Sequence, residues 1–138
     1  MTVAFGTLSS SGSAAQGVQL AGALSGSFSA TTGAISGSTA AAFMVGDGSG
    51  TANTGGTATI SYGGSIASTG TARAVDIQDR AAGAGTVTLS GTVTYASGNG
   101  TAVFIDDIAA GAITFSGNGT YNSGTANALE VTDVTGGG

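Results

Sequence analysis

Four aspartates end the same short pattern at intervals along the chain. Each follows Ala-φ-x-φ-x, where φ is apolar, and the four are Asp47, Asp79, Asp107 and Asp133. If successive copies stack in register, these carboxylates lie near one another, and Ca²⁺, which prefers oxygen ligands, could bind between them. The alternative is that each Asp forms a turn by bonding a backbone amide two residues further on. We favour the turn role and expect no metal, because no GGxGxDxux repeat is present.

A second set of ionisable side chains is concentrated in the middle of the chain. Its members are Asp76, Asp79, Asp106 and Asp107, with Arg73 and Arg80. Carboxylates about 5–10 Å apart can hydrolyse glycosidic bonds, and several polysaccharide-cleaving enzymes are parallel β-helices. However, the chain has no His and no Lys, and Asp76 and Asp106 alternate with apolar residues, as water-facing side chains do. We therefore expect no catalytic residues and no enzyme activity.

Threonines recur at alternate positions of the strand-like segments, on the side that is expected to face outward. The expected outward ladder consists of Thr57, Thr59, Thr86, Thr88 and Thr114, with Thr57-x-Thr59 aligned on Thr86-x-Thr88. A flat Thr grid is how several solenoid antifreeze proteins match an ice surface, which makes ice binding one alternative function. The other interpretation is that Thr is simply favoured on exposed strands.

Two Asn-Gly-Thr sequences match the glycosylation sequon, at Asn99 and Asn118. Both lie where Asn-Gly turns are expected between strands, so the turn interpretation is preferred.

The composition excludes several classes of protein. The chain has 138 residues, 27 of them Gly, with no Pro, Cys or Trp, 7% charged residues and a net charge of −5. The lack of Cys and His removes disulfides and ordinary zinc or copper sites, so no cofactor is expected. With only two basic residues, nucleic acid is not an expected partner. No apolar run is long enough to span a membrane, and the first residues lack the features of a secretion signal.

An internal repeat organises the chain. Residues 85–110 and 111–136 are two copies, in which 26 positions separate Gly85 from Gly111 and Asp107 from Asp133. Longer copies precede them at 56–84 and 22–55, and residues 1–21 form a short first copy that we expect to be incomplete. A period of 20–50 residues indicates a stacked array in which one unit cannot bury its own apolar face.

Alternation of apolar and small polar residues within each copy predicts strands. We therefore predict an all-β, single-stranded parallel β-helix (β-solenoid) with two or three strands per coil. The chain is expected to be one segment of roughly five coils, at about 1–21, 22–55, 56–84, 85–110 and 111–138, and to be part of a longer repeat array. In this alignment Ile60 corresponds to Leu89 and Ile66 to Tyr95. The expected core is Ile60, Leu89, Phe115, Val75, Ile77, Val103, Ile105, Leu129 and Val131. An antiparallel sandwich is the alternative fold, but it does not explain why whole units repeat in register.

The charge distribution points to self-association. Residues 1–46 contain no charged side chain. An uncharged Ser/Thr/Ala/Gly surface with open strand edges pairs readily with another copy, so we expect association end to end or side by side.

With the coils laid out, GTVTLSGTVTY, GAITFSGNGTYNSGTANALEVTDVTGGG and GSTAAAFMVGDGSG resemble large bacterial β-strand-repeat surface proteins. These are adhesin-like or autotransporter-passenger-like chains built as right-handed parallel β-helices. The resemblance covers nearly the whole chain, most clearly 33–138. It implies an extracellular or cell-surface location and a fibrous scaffold that mediates adhesion or assembly, with a cell-surface or polysaccharide partner. The sequence shows no signal peptide, barrel-forming anchor or recognisable adhesive tripeptide.

The expected function is therefore a structural segment of an extracellular bacterial surface or fibre protein. A polysaccharide-binding or polysaccharide-cleaving β-helix and an ice-binding solenoid remain as alternatives.

Overall fold

A computed structural model describes residues 1–135. Within them the chain forms fifteen strands and no helix. The first two coils contain β1 (Thr2–Thr7), β2 (Ser10–Ser11), β3 (Val18–Leu20), β4 (Ser27–Thr32), β5 (Ala34–Ser36) and β6 (Phe43–Val45). The next three contain β7 (Thr59–Tyr62), β8 (Ser65–Gly70), β9 (Val75–Arg80), β10 (Val87–Leu89), β11 (Val93–Gly98), β12 (Val103–Ile108), β13 (Ile113–Phe115), β14 (Gly119–Tyr121) and β15 (Leu129–Val131). Each coil has three strands, so the expectation of an incomplete first coil was wrong.

The strands assemble into three five-stranded sheets. Sheet A has the order β1-β4-β7-β10-β13, sheet B β14-β11-β8-β5-β2, and sheet C β15-β12-β9-β6-β3. Each coil contributes one strand to every sheet, and all neighbouring pairs are parallel. The predicted β-solenoid of five coils is confirmed, and the antiparallel sandwich is excluded.

The core runs along the inside of the stack as columns of equivalent apolar residues. In sheet A, Phe28 pairs with Ile60 and Ile60 with Val87, and all three side chains are buried. The same parity is buried in sheets B and C because alternate side chains of a strand point to one face. Six predicted core residues are confirmed as buried: Ile60, Leu89, Val75, Ile77, Val103 and Ile105.

The other three predicted core residues belong to the fifth coil. Phe115 is half-buried against the core, whereas Leu129 and Val131 are 57% and 51% exposed, so their assignment to the core was wrong. The reason is that β15 pairs only with β12, and no described strand covers its other edge.

The register of the third coil differs from the expected one by two residues. Ile60 pairs with Val87 rather than Leu89, and Ile66 pairs with Val93 rather than Tyr95. A two-residue shift keeps every side chain on the same face, so alternation alone cannot detect it. Tyr62 then occupies the position next to Leu89, fully buried, and its hydroxyl donates a hydrogen bond to the Leu8 carbonyl, 3.0 Å away.

A column of glycines forms the corner between sheets A and B. A Cβ at Gly33, Gly64, Gly91 or Gly117 would overlap the backbone oxygen of the preceding coil. The four positions therefore accept no side chain. A Cβ at Gly64 would also overlap the hydroxyl of Tyr62, so this glycine leaves room for the buried tyrosine side chain.

Candidate interaction surfaces

The aspartate column has a backbone role. Asp79, Asp107 and Asp133 have φ angles of 56°, 48° and 44°, in the left-handed region that Asp tolerates better than most side chains. This conformation ends the regular alternation of sheet C, and the residues that follow two of them, Arg80 and Ile108, are buried. Asp79 and Asp107 bend the chain inside β9 and β12, so a turn closed by an amide bond two residues further on, as predicted, is not the role of these two residues.

Asp47 differs from the other three because a loop, residues 46–58, follows β6 before the next strand. Its Oδ1 accepts a hydrogen bond from the Ser49 amide at 2.9 Å, which is the predicted bond two residues further on. The Thr54 hydroxyl lies 3.1 Å from the same oxygen and 2.9 Å from Oδ2 of Asp79. The hydrogen bonds from Ser49 lower the pKa of Asp47.

The carboxyl of Asp79 is buried. It is 2% exposed, and this burial raises its pKa, with smaller contributions from the negative charges of Asp107, Asp47 and Asp106. The hydrogen bond from Thr54 acts in the opposite direction. Within residues 1–135, no group of three or more His, Cys, Asp or Glu side chains could hold a metal ion, so the four candidate Ca²⁺ ligands do not converge.

On the outer side of sheet C, the Asp76 carboxylate contacts the side chains of Arg73 and Gln78. Arg73 Nη1 lies 2.6 Å from its Oδ2, and Gln78 donates to its other oxygen. The Arg73 guanidinium also lies over the Phe104 ring, 3.8 Å from its centroid. The expectation that Asp76 is a water-facing solubilising residue was wrong: it is only 5% exposed because these neighbours cover it.

Arg80 is also buried rather than water-facing. It is 2% exposed, and its guanidinium donates to the carbonyls of Gly55, Ala58 and Gly85 at 2.6–2.9 Å. The six candidates of the acidic set therefore do not share one site. Asp106 instead accepts a hydrogen bond from the Thr132 hydroxyl at 2.6 Å, and the described residues enclose no pocket.

The outer face of sheet A is a grid of hydroxyl groups. Its central outer row is formed by Ala4, Ser29, Ser61, Thr88 and Thr114. A second row contains Thr2, Ser27 and Thr59, followed by Thr86, whose neighbour Val87 pairs with Ile60. The grid spans all five coils and is longer than the predicted ladder.

Two of the expected ladder positions must be corrected. Thr59 aligns with Thr86 rather than Thr88, as a consequence of the two-residue register shift. Thr57 lies before β7, outside the ladder, where its amide donates to the Leu24 carbonyl at 2.7 Å.

The charged side chains are segregated onto one side of the stack. The two arginines and seven carboxylates all lie on the strands of sheet C or directly beside them. The strands of sheets A and B carry none. The solenoid therefore has one charged side and two neutral ones, an arrangement that the sequence interpretation did not anticipate.

The two sequon asparagines are exposed between strands. Asn99 lies between β11 and β12, and Asn118 between β13 and β14. Asn99 and Gly100 bend the chain, in agreement with the preferred interpretation, whereas Gly119 already belongs to β14, so Asn118-Gly119 is not a turn.

The two end coils expose the apolar interior. Every exposed large hydrophobic residue of the described chain lies in the first or fifth coil: Met1, Phe5, Leu129, Val131 and Val134. The three strands of each end coil pair on one side only, so each end has three open strand edges. An open edge beside exposed apolar side chains is a template for pairing with another strand. We call these the first-coil face and the fifth-coil face.

No protein-family model, curated protein or solved structure matches the chain. The described residues also contain no helix that could cross a membrane.

Proposed function

We propose that the chain is a structural segment of an extracellular bacterial surface or fibre protein and acts in self-assembly. One observation carries the proposal: its exposed apolar side chains are concentrated at the two ends of the stack, beside open strand edges. Burying such ends releases water from apolar surface and satisfies backbone groups at the same time.

The rest of the molecule supports a scaffold role. The three parallel sheets tie each coil to the next, and apolar columns fill the interior. A stack connected in this way along its whole length suits a fibre. The extracellular bacterial location rests on the resemblance to β-strand-repeat surface proteins.

Sedimentation velocity over a concentration series tests self-assembly, with electron microscopy of the same samples. The sedimentation coefficient of the wild-type protein is expected to rise with concentration and filaments to appear. Leu129→Lys places a charge on the fifth-coil face and is expected to reduce association, whereas Thr88→Lys, on the outer face of sheet A, is the matched control. A monomer at every concentration would refute self-assembly.

A second candidate function is favoured by the five-coil hydroxyl grid of sheet A. A flat neutral face with hydroxyls at strand spacing suits an ordered neutral surface, either ice or an uncharged polysaccharide. Thermal hysteresis and co-sedimentation with insoluble polysaccharides test it. Thr88→Tyr should abolish either activity, because the larger side chain disrupts the surface of sheet A. The control is Thr94→Tyr on sheet B, where Thr94 lies between Ala67 and Thr120, and it should leave the activity unchanged. Equal effects of the two substitutions would exclude sheet A as the binding face.

A further inference from the structure

The molecule already contains four copies of one joint. Each coil meets the next through three parallel ladders, one in each sheet, and through apolar side chains stacked in the same columns. The register is known for every joint, so the residues that would extend each column beyond the fifth coil can be identified.

The two end faces contain the first and last members of the same columns. In sheet A, Val3 begins the column that ends at Ile113, and Phe5 begins the one that ends at Phe115. In sheet C, Val18 begins the column that ends at Leu129, and Leu20 the one that ends at Val131. If the first coil of a second copy stacked on the fifth coil of this one, its apolar residues would continue all four columns.

Charge favours the same arrangement. The outer row of sheet C that ends at Glu130 begins at Gln19, an amide that can donate to a carboxylate. The first-coil position equivalent to the aspartate column lies two residues after the paired Leu20. It is occupied by Gly22, which is uncharged and has a φ of 99°. The fifth-coil face carries Glu130 and Asp133, so two such faces in contact would oppose like charges, whereas the first-coil face carries no charged side chain.

Chain direction excludes a symmetric match of all three sheets. A two-fold axis between two identical ends makes facing strands antiparallel and reverses the order of the sheets around the stack. Sheet A can then face sheet A only if sheet B faces sheet C. A head-to-tail contact keeps every ladder parallel and places each sheet on its own kind.

We propose that a second copy of this chain docks head to tail, with its first-coil face on the fifth-coil face and Val3 and Val18 beside Ile113 and Leu129. The proposal rests on the self-assembly proposed above and adds its polarity and register. Such a contact is heterologous and does not close, so it generates filaments rather than dimers.

Cysteine cross-linking tests the joint, because the chain has no Cys of its own. Ala4 and Thr114 are the first and last members of the central outer row of sheet A, so the joint makes them neighbours on adjacent strands. Adjacent strands lie about 4.8 Å apart, within the Cα separation of about 4.4–6.8 Å that a disulfide spans.

The variants Ala4→Cys and Thr114→Cys are oxidised separately and as a mixture, and the products are identified by intact mass. The expected result is a heterodimer in the mixture, no covalent dimer from either variant alone, and a ladder of multimers from the double variant. The control Thr88→Cys, on an interior coil of the same row, is expected to give no product with Ala4→Cys.

Other outcomes separate the failure of this inference from the failure of self-assembly. Homodimers of either end variant would show a head-to-head or tail-to-tail contact, and Thr88→Cys homodimers a side-by-side one. Each would overturn the head-to-tail joint while leaving self-assembly in place. A monomeric wild-type protein in sedimentation would overturn both.

Discussion

The guanidinium of Arg80 donates a hydrogen bond to the carbonyl oxygen of Gly55, 2.6 Å away in the preceding coil. The same side chain reaches Ala58 in its own coil and Gly85 in the next. One buried cation therefore connects three successive coils. It also holds Gly55 and Ala58, which lie just before β7 of sheet A. Burial lowers the pKa of Arg80, which is the expected direction for a cation held away from water.

Replacing Arg80 should be strongly destabilising. Arg80→Ala removes the guanidinium donor from the carbonyls of Gly55, Ala58 and Gly85, of which the first two are buried. We expect the free energy of unfolding in urea to fall by about 3 kcal/mol or more. Arg80→Lys should recover little, because an ammonium lacks the planar fork that reaches separate acceptors. Arg73→Lys is the control: the Arg73 side chain is 34% exposed and Lys keeps a positive charge beside Asp76, so the loss should be less than about 1 kcal/mol. Equal losses at the two sites would contradict the role assigned to Arg80.

The carboxyl of Asp79 should make stability depend on pH. A carboxyl whose pKa is higher in the folded chain binds its proton more tightly there. Its stabilising contribution is therefore fully present below the ordinary value of 3.8 and is lost as the pH rises through the raised value. Asp79→Asn should be more stable than wild type at pH 7, with a difference that shrinks as the pH falls towards 4.

Urea midpoints at several pH values measure this effect. Asp107→Asn controls for exchanging Asp for Asn at a left-handed position, since Asp107 has a similar φ but is only half-buried. If the urea midpoint of the wild-type protein fell on acidification as steeply as that of Asp79→Asn, Asp79 would not be the source of the pH dependence.

The glycine corner should not tolerate even a methyl group. In Gly91→Ala the new Cβ would overlap the backbone oxygen of Gly64, and we expect a loss of about 2 kcal/mol or more from this overpacking. Gly6→Ala is the matched control, since nothing lies within 4 Å of the added Cβ and its φ is unrestricted. It should be neutral or slightly stabilising in thermal unfolding. A stable Gly91→Ala would mean that the coils are further apart at this corner.

Ile60 and Leu129 were both predicted to be core residues, but replacing each with Ala should lower the stability by different amounts. Ile60→Ala removes a side chain that is 1% exposed and should cost about 2–5 kcal/mol. Leu129→Ala removes one that is 57% exposed and should cost much less at concentrations where the protein is monomeric. Chemical denaturation of both variants at low protein concentration measures the difference, and similar losses would place Leu129 in the core after all.

The repeated pattern was sufficient to predict the fold. Apolar columns in register are possible only if whole copies stack, so the β-solenoid and the division into five coils followed from the pattern around Asp79, Asp107 and Asp133. The register of Ile60 did not follow, because parity is unchanged by a two-residue shift. The buried hydroxyl of Tyr62 and the glycine corner decide it, and both depend on contacts between coils.

The burial of Arg80 had a signal that was missed. Aligning Asp79 with Asp107 places Arg80 opposite Ile108, and Ile108 opposite Val134, so its position is apolar in the two following copies. Its three acceptors are backbone carbonyls, which side-chain types do not reveal. The exposure of Leu129 and Val131 could not be predicted either, because a repeat pattern treats every copy as interior.

The segregation of charge onto sheet C has a consequence for any filament built head to tail. Five coils at about 4.8 Å each make one copy about 24 Å long. The net charge of −5 per copy is not spread evenly, because Asp106, Asp107, Glu130 and Asp133 in the last two coils account for four of the five net charges. A filament would therefore carry an anionic patch about every 24 Å along one side. Like charges repel, so filaments would meet only through their two neutral sides. Lateral growth would then give flat ribbons rather than round bundles.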